Sequence, residues 1–159
     1  MKIFSFKKLS DKRGYFKKLI SKKFLDKNIK DKIEEVNLSF NKKKGTVRGF
    51  HYQTGSFKED KIIFILSGKI LDVSINLKEK IMNKKVIKKI LSSNVNKGII
   101  IPKNFAHGFQ TLEDNTLILY LHTKKFNPKY EKTINPINND LNFVWPLHVS
   151  NISKKDKTS

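Results

Sequence analysis

Short runs of Ile, Val, Leu and Phe, separated by polar turn residues, recur along this chain. Within residues 69–77, the apolar Leu71, Val73 and Ile75 alternate with polar residues, a period of two that is typical of a half-buried strand. Many short strands with turns between them favour an all-β sandwich or barrel, in which the sheets close or double to protect their edges. The strand-like runs span residues 32–39, 46–52, 61–67, 69–77, 84–91, 98–101 and 117–123.

The same pattern predicts one domain with few helices. The chain of 159 residues is about one domain long and can bury a core without disulfides. We place the domain at residues 1–149 and expect the polar tail at residues 150–159 to fray. A short helix is predicted near residues 19–25. The Ser-Gly-Lys sequence at residues 67–69, between two strand-like runs, is typical of a hairpin turn.

The composition excludes several classes of protein. The chain has no cysteine, which rules out disulfide scaffolds, cysteine nucleophiles and thiolate zinc sites. It has no apolar run of about 18 residues, as a membrane-spanning helix needs. The first residues lack the apolar core of a signal peptide. We therefore expect a cytoplasmic protein without a membrane partner.

The net charge of +20 is compatible with nucleic-acid binding, but its distribution favours another interpretation. Of the 34 basic residues only Arg13 and Arg48 are arginine, and the lysines are scattered through nearly every segment. We predict that most lysines are solvated and that nucleic acid is not a partner. The two arginines stand out because a planar guanidinium binds phosphate or carboxylate with two hydrogen bonds, which lysine does poorly.

Two of the four histidines have unusual neighbours. His51 ends a strand-like run three residues after Arg48, and His107 follows another run in a predicted tight turn. Two histidines from neighbouring strands could bind a metal. However, Gln53 stands where a second ligand two residues after His51 would be expected, and no Glu follows at a fitting spacing. We therefore predict no metal.

Six segments of the chain follow one another in the order of a known family. RGFHYQ, IPKNFAHGF and a closing WP make the combination specific, and together the segments resemble the dTDP-4-dehydrorhamnose 3,5-epimerase family, a branch of the cupins. The resemblance implies an all-β, cupin-type jelly roll with short peripheral helices, forming a homodimer without cofactor or metal. The segments are DKRGYF (11–16), VNLSF with GTVRGFHYQ (36–40 and 45–53), DKIIFILSGKILDVSINL (60–77), IIIPKNFAHGF (99–109), YLHTKKFNP (120–128) and NNDLNFVWP (138–146).

The implied substrate is a nucleotide-linked 4-keto-6-deoxyhexose, inverted at C3 and C5. A ketone at C4 acidifies both C–H bonds, so epimerisation needs a base, an acid on the opposite face and a group that stabilises the enolate oxygen. The resemblance gives these roles to His51, Tyr120 and Lys61 respectively. It also implies that Asp156, within SKKD, accepts the imidazole N–H of His51. Asp72 is an alternative partner for His51.

The resemblance also implies a set of substrate-binding residues and shows three departures from the family pattern. Lys18 stands where the family often has Glu, Glu35 where Gln is frequent and Phe126 where Tyr is common. The first two bear on the nucleotide base and the third on which carbons are inverted. A 3-only or 5-only epimerase acting on another nucleotide sugar, and a non-catalytic cupin that binds an acidic ligand, are the alternatives. The implied substrate-binding residues are Arg13, Phe16, Arg48, His107, Glu35, Asn37 and Phe126.

Overall fold

Two antiparallel five-stranded sheets form most of the protein. The computed structural model describes residues 1–78, 85–137, 141 and 143–158. The first sheet consists, in spatial order, of β1 (Lys2–Ser5), β9 (Lys97–Ile101), β6 (Lys61–Ser67), β11 (Thr116–His122) and β4 (Glu35–Asn41). The second consists of β12 (Glu131–Thr133), β5 (Val47–Gln53), β10 (Phe105–Thr111), β7 (Lys69–Asn76) and β8 (Val86–Ser92). The remaining described elements are a separate hairpin of β2 (Lys7–Asp11) and β3 (Gly14–Lys18), a short 3-10 helix (Gly55–Phe57), and the helices α1 (Lys22–Asn28) and α2 (Lys154–Thr158).

The sheets enclose an apolar core, and part of each outer face is also covered. Ile63 and Ile118 from the first sheet pack with Ile70 and Phe109 from the second. Helix α1 packs on the outer face of the first sheet, and the segment containing Trp145 packs on the outer face of the second. Strands that are buried on both faces are apolar throughout, which explains the continuous apolar run in β6. The all-β prediction is confirmed.

Each strand-like run found in the sequence overlaps an observed strand. Five strands of the described residues, β1, β2, β3, β10 and β12, correspond to none of these runs. Residue 84, the first of the run 84–91, lies outside the described residues. The sequence analysis placed His107 in a turn, whereas it lies within β10, a central strand that pairs with β5 and β7. The sequence FAHGFQT contains a glycine and few β-branched residues, so its strand propensity is weak and pairing on both sides determines its conformation.

The predicted hairpin turn at residues 67–69 is wrong. Strands β6 and β7 follow each other along the chain but belong to different sheets, so these residues carry the chain across the sandwich. Gly68 has a φ of +79°, and a side chain there would collide with Thr116. A tight turn and a sheet-to-sheet crossing both need a glycine with positive φ, so the local sequence does not separate them.

The two helices differ from the sequence expectations. Helix α1 begins three residues later than predicted, because the Ser21 hydroxyl accepts a hydrogen bond from the Phe24 N–H (3.3 Å) and caps it. The tail was expected to fray, yet Ile152 packs on the second sheet and Asp156 is buried in α2. The many lysines of the tail make it resemble a solvated segment in the sequence, although these two residues anchor it. The domain boundary at residue 149 stays a prediction. No helix in the described part of the chain has the length and apolar character needed to cross a membrane.

Two glycines bring β5 and β10 unusually close together beside the cleft described below. A Cβ on Gly49 would lie 2.5 Å from the Gly108 Cα, and a Cβ on Gly108 would lie 2.6 Å from the Arg48 carbonyl oxygen. The register between the strands also shifts between His107 and Phe109. Side chains at either glycine would force the strands apart, so this contact sets how Arg48 and His107 are placed relative to each other.

Candidate active site

A cleft lies between the two sheets, with walls from both. Its two cavities, of about 330 Å³ and about 200 Å³, share Asn37, His51, Lys61 and His122, so they form one continuous cleft. The larger cavity is also lined by Leu38, Ser39, Arg48, His107, Gly108, Phe109 and Tyr120. The smaller cavity is also lined by Glu35, Tyr52, Gln53, Glu59, Phe126 and Glu131.

His51 contributes a basic nitrogen to the cleft from β5 of the second sheet. Its side chain is 32% exposed, so solvent reaches the ring. Its Nε2 lies 2.7 Å from Oδ1 of Asp156 in α2. When Nε2–H donates to this carboxylate, Nδ1 retains the lone pair that can accept a proton. The arrangement suits a general base whose orientation is fixed by a carboxylate.

Asp156 is kept ionised by its hydrogen bonds. Burial acts to raise the pKa of Asp156, but its hydrogen bonds and the charge of His51 together outweigh it and lower the pKa below its ordinary value. Hydrogen bonds from the Gly49 N–H (3.3 Å) and from Ser153 act in the same direction. A carboxylate with a lowered pKa stabilises the imidazolium that forms when His51 takes up a proton.

Lys61 places a nearly buried ammonium group at the wall of the cleft. Its side chain is 10% exposed, and its Nζ donates to the His51 carbonyl oxygen at 3.4 Å. A second partner is Oε1 of Glu59, 3.5 Å away. Because charges out of water need partners, these contacts hold the ammonium in one place. A fixed cation beside the proposed base can stabilise the oxygen of an enolate.

Tyr120 faces the same cleft from the opposite wall. It lies on β11 of the first sheet, whereas His51 lies on β5 of the second. Burial raises the pKa of the Tyr120 hydroxyl, the charge of Asp72 raises it further, and Arg48 acts in the opposite direction. The phenol is therefore protonated at neutral pH, which is the state that a proton donor must have.

His107 forms a second pair with a carboxylate. Its Nε2 lies 2.7 Å from Oδ2 of Asp72, and both side chains are buried. The contact assigns Asp72 to His107, whereas His51 pairs with Asp156. Oδ1 of Asp72 has no hydrogen-bond partner among the described residues. The charge of Asp72 contributes to the raised pKa of Tyr120.

Polar contacts also fix the implied substrate-binding residues of β4 and β5. The Arg48 Nε donates to Oδ1 of Asn41 at 2.8 Å, which orients the exposed guanidinium where it lines the cleft. Glu35 accepts from the Phe126 N–H at 3.2 Å and from the Asn37 amide at 3.4 Å. The structure therefore brings Arg48, Asn37 and Phe126 to the cleft that contains His51.

Arg13 and Phe16 lie outside the cleft of their own chain. Both belong to the hairpin of β2 and β3, where the Arg13 side chain is 90% exposed and bonds Asp11 at 2.6 Å. Phe16 is 66% exposed. A hollow of about 410 Å³ beside them is lined by hairpin residues alone, so it shares none with the cleft. One chain does not bring these two residues together with His51.

Glu59 and His122 are two further residues of the cleft that the sequence motifs did not indicate. Nδ1 of His122 lies 2.9 Å from Oε2 of Glu59, and the His122 ring stacks on Tyr120 with centroids 5.7 Å apart. The spacing between Tyr120 and His122 could have indicated that His122 lies in the cleft. Residues two apart on a strand share a face, so an implied Tyr120 in the cleft places His122 there as well.

The two central histidines are adjacent in register, but each is bound to its own carboxylate. His51 pairs with His107 across β5 and β10. Within residues 1–78, 85–137, 141 and 143–158, no group of three or more His, Cys, Asp or Glu side chains is arranged to hold a metal ion.

Comparison with known proteins identifies the family of this site. Residues 1–159 match the family model of dTDP-4-dehydrorhamnose 3,5-epimerase. The chain belongs to this family. The 3,5-epimerase of Shigella flexneri is 28% identical over 156 residues, which cover 97% of this chain and 86% of the relative.

Solved structures agree with this membership of the epimerase family. The 3,5-epimerase of Bacillus anthracis, with TDP and PPi bound, superposes with a TM-score of 0.90 at 28% identity, covering 98% of this chain and 90% of that one. The Legionella pneumophila enzyme, in complex with dTDP-4-keto-L-rhamnose, gives a TM-score of 0.85 at 29% identity, covering 97% and 83%. The predicted cupin-type jelly roll and the isomerase class are confirmed.

Proposed function

We propose that this epimerase inverts C3 and C5 of a dTDP-linked 4-keto-6-deoxyhexose, with His51 as base, Tyr120 as acid and Lys61 beside the enolate oxygen. The observation that carries the proposal is the 2.7 Å contact between His51 and Asp156 on one wall of the cleft that Tyr120 lines from the other. Base and acid on opposite sheets can reach opposite faces of a sugar ring held between them. Inversion requires this arrangement.

The proton and electron pair can be followed through one inversion. His51 removes the proton from C5 or C3, and the C–H electron pair moves to make the C4 oxygen an enolate, which the Lys61 ammonium stabilises. The enolate carbon then takes the Tyr120 hydroxyl proton on its other face as the ketone forms again. His51 returns its proton to solvent and the Tyr120 phenolate regains one, so the enzyme is restored.

Solvent deuterium tests this function directly. In D2O with dTDP-4-keto-6-deoxyglucose, we expect NMR to show deuterium at both C3 and C5 of an inverted product. A GDP-linked 4-keto sugar is the comparison substrate for the nucleotide base. Exchange at a single carbon would favour a 3-only or 5-only epimerase. A protein that exchanges neither carbon of either substrate would be a non-catalytic cupin, and the proposal would be wrong.

Arg48→Lys is expected to lower kcat/KM by about ten- to a hundredfold, because charge is retained while the second hydrogen bond of the guanidinium is lost. Steady-state kinetics on the dTDP-linked substrate measures the change. The matched control is the opposite substitution at an exposed position. Lys42→Arg should leave kcat/KM unchanged. Full activity of Arg48→Lys would contradict a phosphate-binding role for this arginine.

We further propose a homodimer in which the β2–β3 hairpin of one subunit completes the cleft of the other. The exposed hairpin carries the implied substrate-binding residues Arg13 and Phe16 outside its own cleft. Strand β4 is an edge strand, and its Val36, Leu38 and Phe40 are each more than half exposed. An exposed apolar edge strand is a surface that another chain can cover.

Mixing two inactive variants tests this dimer. If sites are shared, equilibrating His51→Asn with Arg13→Ala should restore about a quarter of wild-type activity, because half the dimers are mixed and each has one intact site. Activity is followed by product formation after co-refolding. The control mixes His51→Asn with the double variant His51→Asn/Arg13→Ala and should regain nothing. No recovery in the first mixture would show that each chain uses its own Arg13.

A further inference from the structure

Glu59 is a buried carboxylate with both oxygens engaged inside the cleft. Its side chain is 6% exposed. Oε2 lies 2.9 Å from Nδ1 of His122, and Oε1 lies 3.5 Å from the Lys61 ammonium. A buried carboxylate is unfavourable unless such partners compensate it, so these contacts fix its position. Glu59 thereby ties the ring of His122 to the group that faces the enolate oxygen.

The ring held by Glu59 lies on the proposed acid. His122 and Tyr120 stack with centroids 5.7 Å apart and planes inclined by 21°. On another side, His107 meets the Tyr120 ring edge to face at 6.4 Å. The Nδ1 bond to Glu59 prevents the His122 ring from turning away. Tyr120 is therefore confined between two imidazoles, each of which is bound to a carboxylate.

The orientation of Tyr120 decides between two fates of the enolate. His51 can return a proton to the face it came from, which gives exchange without inversion, and only a proton from the other wall inverts the carbon. Small displacements of a reacting group change rates strongly, with a shift of about 1 Å costing up to about a hundredfold. A group that holds the Tyr120 ring therefore affects inversion more than proton abstraction.

We propose that His122, anchored by Glu59, is a positioning residue for Tyr120 that favours inversion over return of the proton to the original face. The inference rests on the proposed function, because it takes Tyr120 as the acid. His122 does not touch the reacting carbon in this assignment and acts through the Tyr120 ring. The measurable quantity is the ratio of net inversion to solvent deuterium exchange.

Two substitutions separate the ring of His122 from its hydrogen bond. In His122→Asn the amide nitrogen can replace Nδ1 toward Glu59, but no ring remains to stack, and we expect the inversion-to-exchange ratio to fall about tenfold with KM within about twofold of wild type. In His122→Phe the ring remains without its anchor, and we expect a smaller fall of about threefold. Glu113→Gln, which removes a half-exposed ion pair with Lys69 outside the cleft, should keep the wild-type ratio.

The outcomes distinguish this inference from the function on which it rests. The Tyr120→Phe enzyme is measured in parallel. If its inversion-to-exchange ratio falls while a folded His122 variant keeps the wild-type ratio, the positioning role is overturned and the proposed function stands. Equal losses of exchange and inversion would place the effect on proton abstraction and would also overturn it. An unchanged ratio in Tyr120→Phe itself would instead contradict Tyr120 as the acid.

Discussion

Replacing His51 with Asn is expected to abolish solvent deuterium exchange at both C3 and C5. Loss of a general base typically costs about 10²–10⁴-fold, and exchange at either carbon should fall by at least about that factor. The shorter Asn amide does not reach the position of Nε2, but the Asp156 carboxylate keeps its hydrogen bond from the Gly49 N–H at 3.3 Å. NMR in D2O measures exchange at each carbon separately.

A matched control for this variant is His148→Asn. His148 is exposed and lies outside the cleft, so the same substitution there should leave exchange unchanged. Circular dichroism and thermal unfolding should show both variants folded. Exchange near the wild-type rate in His51→Asn would exclude it as the base for that carbon.

Tyr120→Phe is expected to separate exchange from inversion. The ring remains to pack against His107 and His122, but the proton that would reach the far face of the enolate is absent. His51 can still remove a proton and return deuterium on the near face. We therefore expect net inversion to fall by about 10²–10⁴-fold, while exchange persists.

The comparison for this variant is Tyr130→Phe, which removes a hydroxyl outside the cleft and keeps the stack on Phe57. It should show wild-type exchange and inversion. Undiminished inversion in Tyr120→Phe would mean that water or another side chain supplies the proton.

The sequence predicted the positions of many strands, but not which strands pair with each other in a sheet. The apolar run of β6 follows from burial on both of its faces, which is a local property. The alternation in β7 predicts a half-buried strand, which is wrong, because its polar Asp72 and Ser74 are as fully buried as its apolar Val73. The assignment of these two strands to different sheets is not local, because Gly68 fits a hairpin and a crossing equally well. Strand β10 could not be predicted for the same reason. Its pairing with β5 and β7, and not its own residues, makes it a strand.

Within the site, the family motifs indicated which residues matter but not how they pair. Asp156 and Asp72 were both candidates to bind His51, and only the fold separates them by giving Asp72 to His107. Glu59 gave no signal, because a carboxylate next to a lysine on a charged chain resembles a solvated surface pair. Its burial depends on the packing of β6 against β11.

The placement of the proposed base and acid on different sheets makes the separation of the two sheets a catalytic parameter. The distance between His51 and Tyr120 is set by the side chains that keep the two sheets apart, among them Ile118 and Phe109. Packed interiors have low compressibility and transmit changes of even one methylene. Turnover should therefore respond to changes in core volume, so that substitutions of residues that never meet the sugar can tune the rate of this enzyme.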